Sequence, residues 1–195
     1  MKVYLDQSIV DEWAKFKSRR ISLARIGKNA TIAPNIIADL QAFDKILDLC
    51  SITFLYSSLN ELEYSWSRKT LFDDLFSKIN FVKVPAVGLR VCVADQGLMK
   101  DHIIEVGKVQ SYFASHIRKF GSKNINDRND FIKYMRTKFF DPMHIDSAIN
   151  AQADIFITID HKLLSSVEKH PELRKFLATK IRVCSPSQFI EKLAT

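Results

Sequence analysis

Apolar positions in this chain fall into short unbroken runs separated by stretches of helical spacing, and the two patterns alternate. Lys2 to Asp6 is a strand-sized run that stops at a carboxylate, and Ile52 to Tyr56 is another that stops at Ser57 and Ser58. Between them Ile36, Ile37, Leu40, Phe43, Ile46 and Leu47 recur at helical spacing, with acidic and polar residues in between. That pattern predicts an amphipathic helix of about four turns covering a sheet. A helix is expected from near Ser58, and Ile79 to Val84, closed by Pro85, predicts a third strand. Leu98 to Phe120 and Phe131 to Phe140 carry helical spacing on either side of a turn at Gly121 to Asn129. Asp154 to Asp160 reads Asp, Ile, Phe, Ile, Thr, Ile, Asp, an apolar run typical of a strand buried on both faces of a parallel sheet. Ile181 to Cys184 offers a last strand. Strands alternating with helices predict an α/β fold, three-layer α/β/α around a central, mostly parallel twisted sheet with right-handed crossovers.

Composition narrows this picture without changing it. The chain has 195 residues, 47% hydrophobic and 26% charged, enough to bury a core. With 5 Gly and 5 Pro, turn residues are too scarce for collagen or a large all-β fold. No repeat, low-complexity tract or Pro/Gly/Ser-rich linker interrupts the sequence. Residues 1–195 are therefore expected to form a single domain with a helical insertion at about 86–138. No apolar stretch approaches the roughly 20 residues that cross a bilayer. The run after Met1 and Lys2 is too short for a signal peptide, so a cytoplasmic protein is expected. Cys50, Cys92 and Cys184 are far apart and lack C-x-x-C spacing, so they read as core thiols rather than a disulfide framework or a zinc cluster.

The net charge of +7 is clumped. One cluster includes Lys15, Lys17, Arg19 and Arg20, and a second runs from Arg118 to Lys138 through Arg128, Lys133 and Arg136. Such patches favour polyanions through counterion release. On charge alone, a pair of solvated helix faces is the better explanation.

The acidic residues are more informative. Open α/β sheets bind ligands outside the carboxyl ends of their strands. Asp6 closes the first predicted strand and Asp160 closes the Asp154 run, although either could simply cap the next helix. Glu63 lies within the stripe set by Leu59, Leu62 and Trp66, so its carboxylate is expected to face inward, whereas Glu61 points elsewhere. Asp141 precedes Pro142 as an N-cap would, and it also lies one turn before Ile145 on the face of Ala148 and Ile149. Asp146 reads as a supporting or surface acid. Converging, Asp6, Glu63, Asp141 and Asp160 would repel one another unless neutralised. A hard divalent cation such as Mg²⁺ or Mn²⁺ takes oxygen ligands and resolves that conflict.

These residues also match a known pattern. Val3-Tyr4-Leu5-Asp6-Gln7-Ser8 resembles the opening strand and D-x-S motif of PIN-domain ribonucleases. Ser57-Ser58-Leu59-Asn60-Glu61-Leu62-Glu63 resembles the family's strand-to-helix segment, in which Glu63 takes the place of a metal-binding glutamate. Asp141-Pro142-Met143-His144-Ile145-Asp146-Ser147-Ala148 is similar to the D-A-x-H-x-A-x-A helix start, with Asp146 on an alanine position. Thr158-Ile159-Asp160 matches the T-x-D strand end, and Val183-Cys184-Ser185-Pro186 with the helix from Gln188 resembles the closing strand and helix. The likeness covers residues 1 to about 66 and about 139 to 193, and the chain departs from compact, VapC-type toxins by its longer basic middle.

The resemblance implies a PIN-like sheet, a Mg²⁺ or Mn²⁺ site and endonucleolytic cleavage of RNA, in a toxin-like setting. Asp6, Glu63, Asp141 and Asp160 would hold metal, with Ser8 and Thr158 hydroxyls and Asp146 supporting them. Arg128, Lys133, Arg136 and Lys138 would hold RNA phosphates. An antitoxin-like protein inhibitor and a homodimer are the further partners it brings, and a membrane is not among them. Two rivals remain: a catalytically inactive PIN-like module that binds RNA or a partner, and a haloacid-dehalogenase-type phosphatase, whose D-x-D pair is broken here by Ser8. His144 is expected to be structural and His161 is left open.

Overall fold

Lys2–Leu5 (β1) forms the middle of a five-stranded, wholly parallel sheet in this computed structural model. Thr53–Ser57 (β2) pairs with one side of β1, and Phe81–Val84 (β3) pairs with β2. Ile155–Ile157 (β4) pairs with the other side and Arg182–Cys184 (β5) with β4, so the order is β3-β2-β1-β4-β5. The structure describes residues 1–23, 34–57, 59–60, 79–87 and 140–193. Within them the helices are Gln7–Leu23 (α1), Pro34–Leu47 (α2), Phe140–Asn150 (α3), His161–Lys169 (α4), Pro171–Ala178 (α5) and Pro186–Leu193 (α6). The fold is therefore α/β with a parallel sheet, and no described helix is long and apolar enough to cross a membrane.

Successive strand residues point to opposite faces, and each face has its own core. Val3, Leu5, Phe54, Ile155 and Ile157 pack with Ile9, Phe16, Leu40, Phe43 and Phe189, placing α1, α2 and α6 on one face. Tyr4, Leu55 and Phe156 pack with Ile145, Leu163, Val167, Leu173 and Leu177, placing α3, α4 and α5 on the other. Coverage on both sides explains why the strands read as continuous apolar runs. On the first face, Trp13 Nε1 donates to Asp44 Oδ1 across 2.8 Å and Lys17 Nζ lies 2.6 Å from the same oxygen, joining α1 to α2.

Several expectations shift. The last helix begins at Pro186 rather than Gln188, because Ser185 N–H donates to Gln188 Oε1 (2.9 Å) while Gln188 N–H donates to Ser185 Oγ (3.4 Å), a reciprocal cap. Asp141 lies inside the first turn of α3 instead of before it, with Pro142 where a missing N–H costs no helical bond. Cys184 is buried, but Cys50 is exposed in the turn where α2 gives way to β2. Asp39, an acidic residue that falls between the apolar positions of α2, is buried. The expected helix through Glu61 and Glu63, the helices over Leu98 to Phe120 and from Phe131, nearly all of the insertion at 86–138, Cys92, and Arg128, Lys133, Arg136 and Lys138 lie outside the described residues.

Candidate functional site

The strand order reverses between β1 and β4, because the chain builds β2 and β3 outward on one side of β1 before returning to build β4 and β5 on the other. At such a switch point the loops leaving neighbouring strands part toward opposite faces and open a crevice. Here α1 leaves β1 for the first core and α4 leaves β4 for the second. The residues that begin those two loops are Asp6 and Thr158.

Asp6 is only 3% exposed, and its N–H donates to Ile157 O across 3.0 Å, which extends the pairing of β1 with β4 by one residue. Two hydroxyls converge on one carboxylate oxygen: Thr158 Oγ1 donates to Asp6 Oδ2 at 2.7 Å, and Ser8 Oγ donates to the same atom. The two hydroxyls are themselves 3.2 Å apart. Thr158 Oγ1 in turn accepts the Asp160 N–H at 2.9 Å, so one threonine ties both strand-end aspartates into a single cluster.

Asp160 is the N-cap of α4, its Oδ1 accepting from Lys162 N (2.8 Å) and Leu163 N (3.1 Å). The capping role that sequence reasoning allowed for Asp160 is therefore real. Each aspartate uses one oxygen for the protein. Asp6 Oδ1 and Asp160 Oδ2 accept no hydrogen bond among the described residues.

Asp141 reaches the same edge by a different route. Asp154, four residues after α3 ends, donates its N–H to Lys2 O at the start of β1 (2.9 Å), so α3 runs back from the strand ends to the strand beginnings. Its first turn, with half-buried Asp141, thus lies at the strand-end edge. Asp146 is buried on the same helix, not a surface acid. The structure brings Asp6, Ser8, Thr158 and Asp160 into one hydrogen-bonded cluster and leaves Asp141 and Asp146 on a separate element. Among the described residues, no three His, Cys, Asp or Glu side chains form a group that could hold a metal ion.

Three features of the site were not read from the sequence. Asp39 accepts from Ser187 N (3.1 Å) at the start of α6, and its Oδ2 lies 3.3 Å from His161 Nε2, so the histidine beside Asp160 is held by a buried carboxylate. The inward-stripe reasoning applied to Glu63 would have flagged Asp39 between Ile36, Ile37 and Leu40. Gln7, directly after Asp6, is buried; its Nε2 donates to Asp11 Oδ1 (3.0 Å) and its Oε1 has no partner among the described residues. Tyr4 carries a buried hydroxyl in the middle of the sheet, and a tyrosine in an otherwise apolar run is itself a signal that a polar partner is near. His144 is one such partner: Nδ1 lies 2.9 Å from Tyr4 OH, a bond across to the sheet.

No protein-family model matches this chain, and no curated protein is significantly similar to it.

Proposed function

We propose that the chain is a divalent-metal-dependent endoribonuclease with a PIN-like, three-layer α/β/α arrangement. The observation that supports this most is the Asp6, Thr158 and Asp160 cluster at the switch point between β1 and β4, where a parallel α/β sheet takes its ligand. The donor set fits Mg²⁺ or Mn²⁺: hard carboxylate oxygens, one on each of Asp6 and Asp160, are left over after the protein's own bonds are counted. Glu63 and Asp141 complete the proposed ligand set, with Asp146 supporting them.

Each residue has a task that follows from its chemistry. Ser8 and Thr158 fix the rotamer of Asp6 by donating to a single oxygen, so the other keeps one direction. The first turn of α4 does the same for Asp160 through two backbone N–H groups. A bound Mg²⁺ or Mn²⁺ supplies an activated water and relieves charge on the phosphoryl oxygens. Arg128, Lys133, Arg136 and Lys138 hold neighbouring phosphates and keep the strand in the cleft. An antitoxin-like inhibitor and a homodimer belong to the same proposal as partners.

Metal binding tests the reading directly. Titration of Mn²⁺ followed by the electron paramagnetic resonance of the free ion is expected to show saturable binding by the wild type and at least about ten-fold weaker binding by Asp6→Asn. No binding by the folded wild type, with RNA binding intact, would favour the inactive RNA-binding module.

A further inference from the structure

Tyr4 projects from the centre of β1 into the second core, and its hydroxyl is the hub of a buried polar network that the proposed chemistry does not use. It donates to Asn60 Oδ1 (3.2 Å), and Ser57 Oγ and His144 Nδ1 lie 2.7 Å and 2.9 Å from it. Ser57 Oγ accepts the Leu59 N–H (3.2 Å). The Asn60 amide is filled on both ends: Oδ1 also accepts Ser57 N–H (2.9 Å), and Nδ2 donates to Leu5 O (3.0 Å). Stacking on Phe156 at 5.7 Å and the edge of His144 at 5.8 Å leave the Tyr4 ring one orientation.

The placement of these partners gives the network a purpose. Leu5 O belongs to the peptide that leads into Asp6. His144 follows Asp141 by three positions, one helical turn. The network therefore joins β1, which leads into Asp6, to α3, which carries Asp141, through Ser57, Asn60 and His144, partners 53, 56 and 140 residues away from Tyr4. We propose that the Tyr4 hydroxyl, with His144, Ser57 and Asn60, is the positioning device that sets the spacing of the carboxylates and so the affinity of the site for its divalent cation. This inference rests on the metal reading of the site. Tyr4 touches neither substrate nor ion; it acts through the elements it joins.

The test compares Mn²⁺ dissociation constants of the full-length wild type, Tyr4→Phe, His144→Gln and Trp13→Phe, with a thermal melt of each. Tyr4→Phe removes only the hydroxyl, and both it and His144→Gln are expected to weaken Mn²⁺ binding about ten-fold. The double variant is expected to be no weaker than the worse single one, as befits groups acting as a unit. Trp13→Phe removes the bond to Asp44 on the opposite face of the sheet, and is expected to lower the melting temperature while leaving the dissociation constant unchanged. Wild-type affinity in Tyr4→Phe, or an equal loss in Trp13→Phe, would overturn the positioning role and leave the metal reading standing. If Tyr4→Phe does not fold, Ser57→Ala carries the same expectation and is read in its place. A wild type that binds no Mn²⁺, or an Asp6→Asn variant that binds as tightly, would overturn the metal reading and this inference with it.

Discussion

The Thr158 hydroxyl donates to Asp6 Oδ2 across 2.7 Å, so the first residue beyond β4 is bonded to the first residue beyond β1. The same oxygen of Thr158 accepts the Asp160 N–H, and a single small side chain thereby joins both sides of the switch point. Replacement by valine keeps the shape and removes both bonds. Thr158→Val is expected to lose about 1–3 kcal/mol in urea denaturation, the cost of leaving buried polar groups unpaired. It is also expected to weaken Mn²⁺ binding about ten-fold, with Thr158→Ser restoring most of both. Unchanged binding in Thr158→Val would separate the threonine from the site.

Asp160 carries a cap and a proposed ligand oxygen on one carboxylate, and two substitutions pull these apart. Asparagine caps a helix about as well as aspartate, so Asp160→Asn is expected to keep stability to within about 0.5 kcal/mol, whereas Asp160→Ala loses about 1 kcal/mol. Both are expected to lose Mn²⁺ affinity. If Asp160→Asn binds the ion like the wild type, the residue is a cap and nothing more.

What the sequence made legible follows from the range of the interactions involved. The strands and α2 are written in local apolar spacing, and Asp6 and Asp160 stand where their runs end, so these were readable residue by residue. The cap at Asp160 was readable for the same reason, since its bonds go only two and three residues on. Asp39 and Tyr4 behave differently. Asp39 is buried because Ser187 meets it from 148 residues away, and Tyr4 because His144 meets it from 140. The local pattern can mark each of them as inward-facing, but it does not say which distant residue answers it. The start of α6 lay in between: the Ser185 and Gln188 pair is a local signature, overlooked because Pro186 resembles the end of a strand as much as the first turn of a helix.

Cys184 gives a prediction that is independent of function. Burial pushes its thiol from 9.0 up to about 11, against the opposing pull of Arg182 and Lys192. Its folded form holds the proton more tightly than the unfolded one. The stability this contributes is whole below pH 9 and is lost progressively as the pH rises from 9 to about 11, by up to about 3 kcal/mol. Chemical denaturation across that window is expected to show the decline in the wild type and a smaller one in Cys184→Ala. Peptide-resolved alkylation at pH 8 is expected to label exposed Cys50 quickly and Cys184 only on unfolding.

The basic stretch enters the account through RNA affinity. Lys133→Glu combined with Arg136→Glu is expected to weaken RNA binding and to flatten the dependence of log affinity on log salt by about two phosphate contacts. Fluorescence anisotropy with an inactive Asp6→Asn background measures both quantities. An unchanged salt slope would place the phosphates elsewhere on the protein.

Cleavage of an end-labelled pool of structured RNAs by the wild type and by Asp6→Asn, each in EDTA, Mg²⁺ and Mn²⁺, tests whether the protein is a metal-dependent endoribonuclease. Cuts at defined positions that require the metal and vanish in Asp6→Asn are expected. Cuts of equal strength in the variant, or none by folded, metal-supplied wild type, would contradict that reading.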